Sequence, residues 1–437
     1  MRVCVQGLWH LGSVTAACLA SVGHEVIGLD LDSQAVAGLR NGVPPVMEPG
    51  LAELIKDGLA TGRLTFSEVA SEALEDVDVL WVAYDTPVDE DDVADVEFVI
   101  GQVDSSVPCL KQGATIVVSS QLPVGSIRRL EELALVRFPS RGLGFACSPE
   151  NLRLGRALEA FLKPDRIVVG IRNGRDRDRI DQLLAPITQN IEWMGVESAE
   201  MTKHAINSFL ATSVAFANEI AAICERVGAD AKEVERGLKS EGRIGPRAYL
   251  APGGAFAGGT LARDVEFLKS IGSAHGLRTE LLTAIKASND QHKAWARRRL
   301  ADLFDRLDGR TFAIWGLTYK PGTDTLRRSL SVELCEFLLA QGARLKVHDP
   351  AAQALPATWA GRVERASNPL AALSGADALI VATEWPQYSQ IAGGALSGLR
   401  SGFAVLDANR FLSQWKAVPG IRYIAVGSPP EGIRVNT

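Results

Sequence analysis

The chain opens with an apolar run, RVCVQG (2–7), that passes straight into a glycine-punctuated turn and then into a helical pattern. That order constrains the fold more than any other feature, because strand, tight turn and helix in succession begin a βαβ unit, whose helix must cross over a parallel sheet. The turn reads Gly7-Leu8-Trp9-His10-Leu11-Gly12, and the next apolar run, EVIGLD (25–30), ends on Asp30. In a dinucleotide-binding turn the first glycine permits the sharp reversal and the last lets the helix pack on the strand. An acidic residue after the second strand bonds a ribose diol. Gly7, Gly12 and Asp30 fit those positions. Trp9 stands where a glycine normally lets a diphosphate approach the backbone, so its indole must form a wall of the site, displace the cofactor, or close the site to nicotinamide. Asp30 favours NAD over NADP, whose 2′-phosphate would meet a negative charge.

A chain of 437 residues exceeds one ordinary core. The strand-helix alternation continues to about residue 195, with runs at 78–84, 115–120, 143–148 and 166–171 that are apolar throughout, as strands of a parallel sheet buried on both faces require. Residues 198–228 change texture to a proline-free helical pattern of two apolar stripes. Ala205, Phe209, Thr212, Phe216 and Ile223 trace one; Ile206, Leu210, Val214 and Ala221 trace the other. Such a helix is expected to be covered over most of its circumference. A glycine-rich loop (251–259), a helical run and a second long helix over 279–307 follow. The strand-helix pattern then restarts at 311–316, 344–349, 376–383, 404–409 and 421–427. The expectation is an α/β protein with two Rossmann-like doubly wound domains, 1–197 and 309–437, joined through a long central helix and a helical segment, 198–308.

A net charge of −6 gives no global attraction for nucleic acid, so an anionic ligand must be caught locally. Six cysteines (Cys4, Cys18, Cys109, Cys147, Cys224 and Cys335) are scattered without metal-ligand or disulfide spacing, which suits a reducing cytoplasm. No signal-peptide pattern and no run of 18 uncharged apolar residues is present, so no membrane role is expected of the chain itself.

Separated motifs then accumulate in order: Glu48-Pro49-Gly50-Leu51, Thr86-Pro87, Pro123-Val124-Gly125, Ser148-Pro149-Glu150, Glu200-Met201-Thr202-Lys203 with Asn207, Arg243-Ile244-Gly245, Gly258-Gly259-Thr260-Leu261-Ala262-Arg263-Asp264, Gly316-Leu317-Thr318-Tyr319-Lys320-Pro321-Gly322-Thr323-Asp324, Arg327, His348-Asp349-Pro350 and Thr383-Glu384-Trp385. Together they resemble the UDP-glucose/GDP-mannose dehydrogenase family over almost the whole chain. The resemblance implies NAD in the N-terminal domain, with Gly7, Trp9, Gly12, Asp30, Thr86, Pro87 and Gln121 near it. It implies a nucleotide sugar, UDP-linked in preference to GDP-linked, with the nucleotide on the C-terminal domain. Arg243, Phe256, Gly258, Arg263, Lys320 and Arg327 are the implied substrate contacts, and the spine resembles the family's dimerising segment, implying a homodimer.

In that family the C6 alcohol is oxidised twice to a carboxylate, the second time through a cysteine thiohemiacetal and thioester. The residue matching that cysteine is Thr260. A thiol supplies some thiolate at neutral pH, whereas an alkyl hydroxyl supplies almost none without a strong base. Two further reactive positions differ, with Gln121 in place of a threonine and Leu154 in place of a second glutamate. The implied polar centre survives in Lys203 and Asn207, which can stabilise an alkoxide, in Asp264 as an orienting group or base, and in Glu150 as an auxiliary base. The alternative is that Lys203 and Asp264 form a structural ion pair. Four activities stay open: an oxidoreductase stopping after one oxidation or working reversibly, a full dehydrogenase using an aldehyde hydrate positioned by Thr260, an epimerase, and a noncatalytic nucleotide-sugar sensor.

Overall fold

The computed structural model describes residues 1–87, 94–150, 152–257 and 259–429, and the chain divides into two compact units, Met1–Ile206 and Asn207–Thr437. Among the described residues the first unit holds β1 (Arg2–Gln6), β2 (Glu25–Leu29), β3 (Leu64–Ser67), β4 (Val79–Val82), β5 (Thr115–Val118), β6 (Gly144–Cys147), β7 (Ile167–Ile171) and β8 (Ile191–Gly195). They form one sheet in the order β3-β2-β1-β4-β5-β6-β7-β8. β4, β5 and β6 are buried at every position, as their unbroken apolar runs require. One core covers each face of the sheet. Val3, Val5, Val79 and Trp81 point into one, and Cys4, Leu80, Val82 and Ile116 into the other.

The sheet is not parallel throughout, because β6 and β7 run antiparallel. β3 mixes exposed with buried positions and β8 is at most half-buried along its length, so neither reads as an unbroken apolar run, and the three-residue β11 (Val363–Arg365) of the second unit has no buried position. That unit also contains β9 (Thr311–Trp315), β10 (Arg344–His348), β12 (Ala378–Val381), β13 (Phe403–Asp407) and β14 (Ile421–Ile424), in the order β11-β10-β9-β12-β13-β14. All its pairings are parallel. In each sheet chain order reverses beside the first strand, between β1 and β4 and between β9 and β12. Loops leaving the carboxyl ends of those strands diverge there and open a crevice.

The spine helix runs Val196–Val227. Ala199, Ala211, Ala215, Ala221 and Cys224 are buried in the cores beside it. The cover expected over most of its circumference is not found within one chain: Phe209 is 69% exposed, Ile223 56% and Phe216 46%, so the first of the two stripes is largely open. This helix is also long and apolar enough to cross a bilayer by length and composition, although 44% of its most apolar window is buried in the fold.

The helix expected over 279–307 is two helices, Glu280–Lys293 and Trp295–Leu303, with Ala294 between them. The break has a polar cause. The Trp295 indole N–H donates to Glu225 at 3.0 Å, and Arg298 donates to the freed Gln291 carbonyl at 2.6 Å.

Candidate active site

In the first unit the turn after β1 is built around two glycines. Gly7 has φ +90°, and a Cβ at Gly12 would stand 1.6 Å from the Gly7 carbonyl oxygen, so the helix His10–Ser21 can begin where it does only without a side chain there. Asp30, at the end of β2, accepts from the Leu8 N–H at 2.6 Å and from the Asp32 N–H at 3.0 Å. Trp9 caps the helix and is 54% exposed, so its ring does not fill the core beneath the turn.

Beyond β5 and β6 lies a water-sized cavity of about 20 Å³ walled by Ser120, Gln121, Cys147, Glu150 and Lys203. Lys203 comes from the first turns of the spine helix, where a rigid element fixes its stem. Its ammonium donates to the Glu150 carboxylate at 2.9 Å and to the Glu150 carbonyl at 2.7 Å. Thr86 donates to the Gln121 carbonyl at 2.8 Å, which brings the Thr86-Pro87 segment to the same strand end. Cys147 faces this cavity as well, but burial, with the nearby Glu200 charge, pushes its thiol well above the usual range. It is not a ready thiolate.

The second unit contains Asn207, Thr260 and Asp264, the other residues expected at the reaction centre. Asp264 is fully buried in the helix Thr260–Ala274 and accepts from the Asn207 amide. Lys203 pairs with Glu150, and Asp264 with Asn207. Thr260 is exposed as the first residue of its helix, directly after Gly259 at φ +106°.

The loop preceding Thr260 is fastened by four side chains that sequence reasoning did not single out as ligands of it. Asn218 accepts from the Gly253 N–H at 3.0 Å, His292 donates to the Gly253 carbonyl at 2.8 Å, and Asn409 accepts from the Gly254 N–H at 2.7 Å. Asn289 clamps Phe256 through both its N–H, at 2.9 Å, and its carbonyl, at 2.8 Å. Scattered single polar residues leave no periodic signal in a sequence.

Phe256 and Lys320 line a cleft of about 430 Å³ in this unit, together with Thr318 and Tyr319 after β9, Thr383 and Glu384 after β12, and Ser329 and Ser331 at the start of the helix Leu330–Ala340. Lys293 and Arg297 add positive charge to its wall. Cations beside a helix N-terminus suit phosphate oxygens. Other expected contacts lie apart from that wall: Arg327 is exposed on the same loop, Arg263 is half-buried on the Thr260 helix, and Arg243 is exposed and paired with Glu241 at 2.9 Å. Gly258 lies outside the described residues.

Three family models match the chain in sequence: the NAD binding domain of the UDP-glucose/GDP-mannose dehydrogenase family over residues 1–188, its central domain over 197–291 and its UDP binding domain over 313–414. The chain belongs to this family. A UDP-glucose 6-dehydrogenase of Pseudomonas aeruginosa is 36% identical over 447 aligned residues, covering 99% of this chain and 98% of that one. Another, from Rhizobium meliloti, is 32% identical, covering 98% of this chain and all of its own. The solved UDP-glucose dehydrogenase of Pyrobaculum islandicum matches with a TM-score of 0.87 at 32% identity, covering 98% of each chain.

As a family member the chain is an NAD-dependent nucleotide-sugar dehydrogenase. Its first unit fits the cofactor. The Gly7–Gly12 contact leaves no room for a side chain, and each Asp30 oxygen, holding one N–H, retains a lone pair for a ribose hydroxyl.

The geometry also gives the acidic residues of two family motifs capping roles. Buried Glu48 accepts from the Gly155 and Ala157 N–H groups, each at 2.8 Å, capping the helix Ala157–Leu162. Glu200 does the same for Gly125, at 2.7 Å, and Ile127, at 3.0 Å, ahead of the helix Ser126–Arg137. His204 donates to the Leu122 carbonyl at 2.9 Å, a packing role.

Proposed function

We propose that this dehydrogenase oxidises C6 of a UDP-hexose once, releasing or reversibly re-reducing the 6-aldehyde. Thr260 carries the proposal: a hydroxyl opens the reaction helix four residues before buried Asp264, at the family's thiol position. Bound NAD supplies the hydride acceptor. In the single oxidation the C6 carbon loses a hydride and its hydroxyl loses a proton, leaving a carbonyl. Lys203, held by Glu150, stabilises the developing alkoxide, and Asp264, oriented by Asn207, takes the proton. A second oxidation needs a nucleophile to add to the aldehyde first. Thr260 is a far weaker one than a thiolate, and Gln121 and Leu154 stand where the family has a threonine and a glutamate.

The test is chemical. With UDP-glucose, NAD and hydroxylamine, the expected product is a UDP-linked aldoxime seen by mass spectrometry. A UDP-uronate formed without trappable aldehyde would select the hydrate route instead. Thr260→Cys is expected to move product toward the uronate.

The open stripe of Phe209, Phe216 and Ile223 supports a homodimer in which a second copy covers it. Phe216→Glu is expected to lower the mass measured by light scattering from two chains to one. Six free thiols, five of them buried, suit a cytoplasmic setting.

A further inference from the structure

The walls of the 430 Å³ cleft are not chemically uniform. Lys293, Arg297 and Lys320 supply cations, whereas Glu333 and Glu384, the latter just beyond the buried Ala378–Val381 strand, supply carboxylates. The Asn409 side chain stands beside the Glu384 carboxylate and favours its ionised form, and the carboxylate oxygen Oε1 is buried with no hydrogen-bond partner. An unpaired buried acceptor is costly, and a native fold keeps one mainly where something else satisfies it. The surroundings reinforce this. Burial, joined by the charge of Asp407, pushes the Glu384 carboxyl up against the Asn409 bond that favours ionisation.

Asn409 is itself committed on its other side. Its oxygen accepts from the Gly254 N–H at 2.7 Å, and a Cβ on Gly253 would stand 2.0 Å from that oxygen. Asn409 thus stands beside both Glu384 and the loop that leads to Thr260.

We infer that Glu384 is a specificity residue of the cleft, its unpaired oxygen accepting a hydrogen bond from the nucleoside part of the substrate, with Asn409 holding the carboxylate against the Gly254 loop. A carboxylate would repel the diphosphate, whose oxygens suit the cleft's cations instead. The donors a uridine nucleotide offers are its ribose hydroxyls and its imide N–H. A cytidine base offers no imide N–H, so an imide contact would also reject it.

The inference rests on the UDP-linked half of the proposed function and not on the number of oxidations. Its test therefore uses binding without turnover. Calorimetry on the NAD-free full chain compares UDP, 2′,3′-dideoxy-UDP and N3-methyl-UDP. For the parent protein one analogue should bind about tenfold or more weakly than UDP, the dideoxy compound if the donor is the ribose and the methylated one if it is the base. Glu384→Gln, which puts an amide donor where the acceptor was, should weaken UDP by a similar factor while costing that analogue nothing further. Glu384→Asp should recover part of the loss. The inference is overturned if both analogues bind the parent as tightly as UDP does, if Glu384→Gln leaves UDP binding unchanged, or if it weakens all three nucleotides equally. The analogue series on the parent needs no variant to fold, and none of these results bears on whether the product is an aldehyde.

Discussion

The two units turn out of their first strands in the same way. Gly7 and Gly316 have φ +90° and +89°, and their N–H groups donate to Leu29 at 2.9 Å and His348 at 2.8 Å. The next residue, Leu8 or Leu317, donates its N–H at 2.6 Å to an aspartate at or just beyond the end of the neighbouring strand, Asp30 or Asp349. Past that bond the two turns diverge. After Gly7 the helix starts at His10, and Asp30 holds only one further N–H. After Gly316 a loop over 317–329 carrying Lys320 intervenes before the helix at Leu330, and Asp349 is buried beneath it. That carboxylate accepts from the N–H groups of Thr318, Ala351 and Ala352, the Thr318 hydroxyl and the Trp385 indole. One device thus serves two purposes. With capacity to spare, the strand-end aspartate suits a ribose; saturated, it pins a loop that forms a cleft.

The harshest way to break the comparison is at the glycines. Gly12→Ala would put a Cβ 1.6 Å from a backbone oxygen, and should cost about 3 kcal/mol or more in urea unfolding and abolish NAD binding. UDP binding should persist, since its cleft lies in the other unit. Asp349→Asn comes next, at roughly 2–4 kcal/mol, because several buried N–H groups lose a charged acceptor.

The same residue makes a pH prediction. Burial alone would raise the Asp349 carboxyl, but the N–H groups of Leu317, Thr318, Ala351 and Ala352 outweigh it and hold the carboxyl below the usual range. A depressed folded value means its contribution is complete above about pH 4 and is lost as pH falls through that lower value. Acid unfolding of Asp349→Asn should lack that component of the pH dependence.

Asp30→Asn sharpens the contrast from the other side, with NAD binding expected to fall about tenfold and stability by only about 1 kcal/mol. Trp9→Gly should be mildest, changing NAD affinity a few-fold, because the exposed ring contributes little to the core. A loss of UDP binding in either variant would mean that the two turns do not divide the ligands.

Much of the fold was legible because buried parallel strands read as unbroken apolar runs, so the strands buried along their length stand where the sequence puts them. β3, β8 and β11, the antiparallel direction of β7 and the break at Ala294 were not, since each depends on partners distant in sequence. The site was legible as motifs but not as roles. Glu48 and Glu200 carry the same family signal as Glu150, yet two cap helices and one holds Lys203. The clamp of Asn218, Asn289, His292 and Asn409 could not be read at all, because four isolated side chains converge only once the second unit has folded.

Electron counting tests the single oxidation most directly. NADH formed per UDP-hexose consumed, followed by absorbance and chromatography until the reaction ends, should be one with Thr260 in place and rise toward two in Thr260→Cys. Two NADH per sugar in the parent protein would contradict a single oxidation.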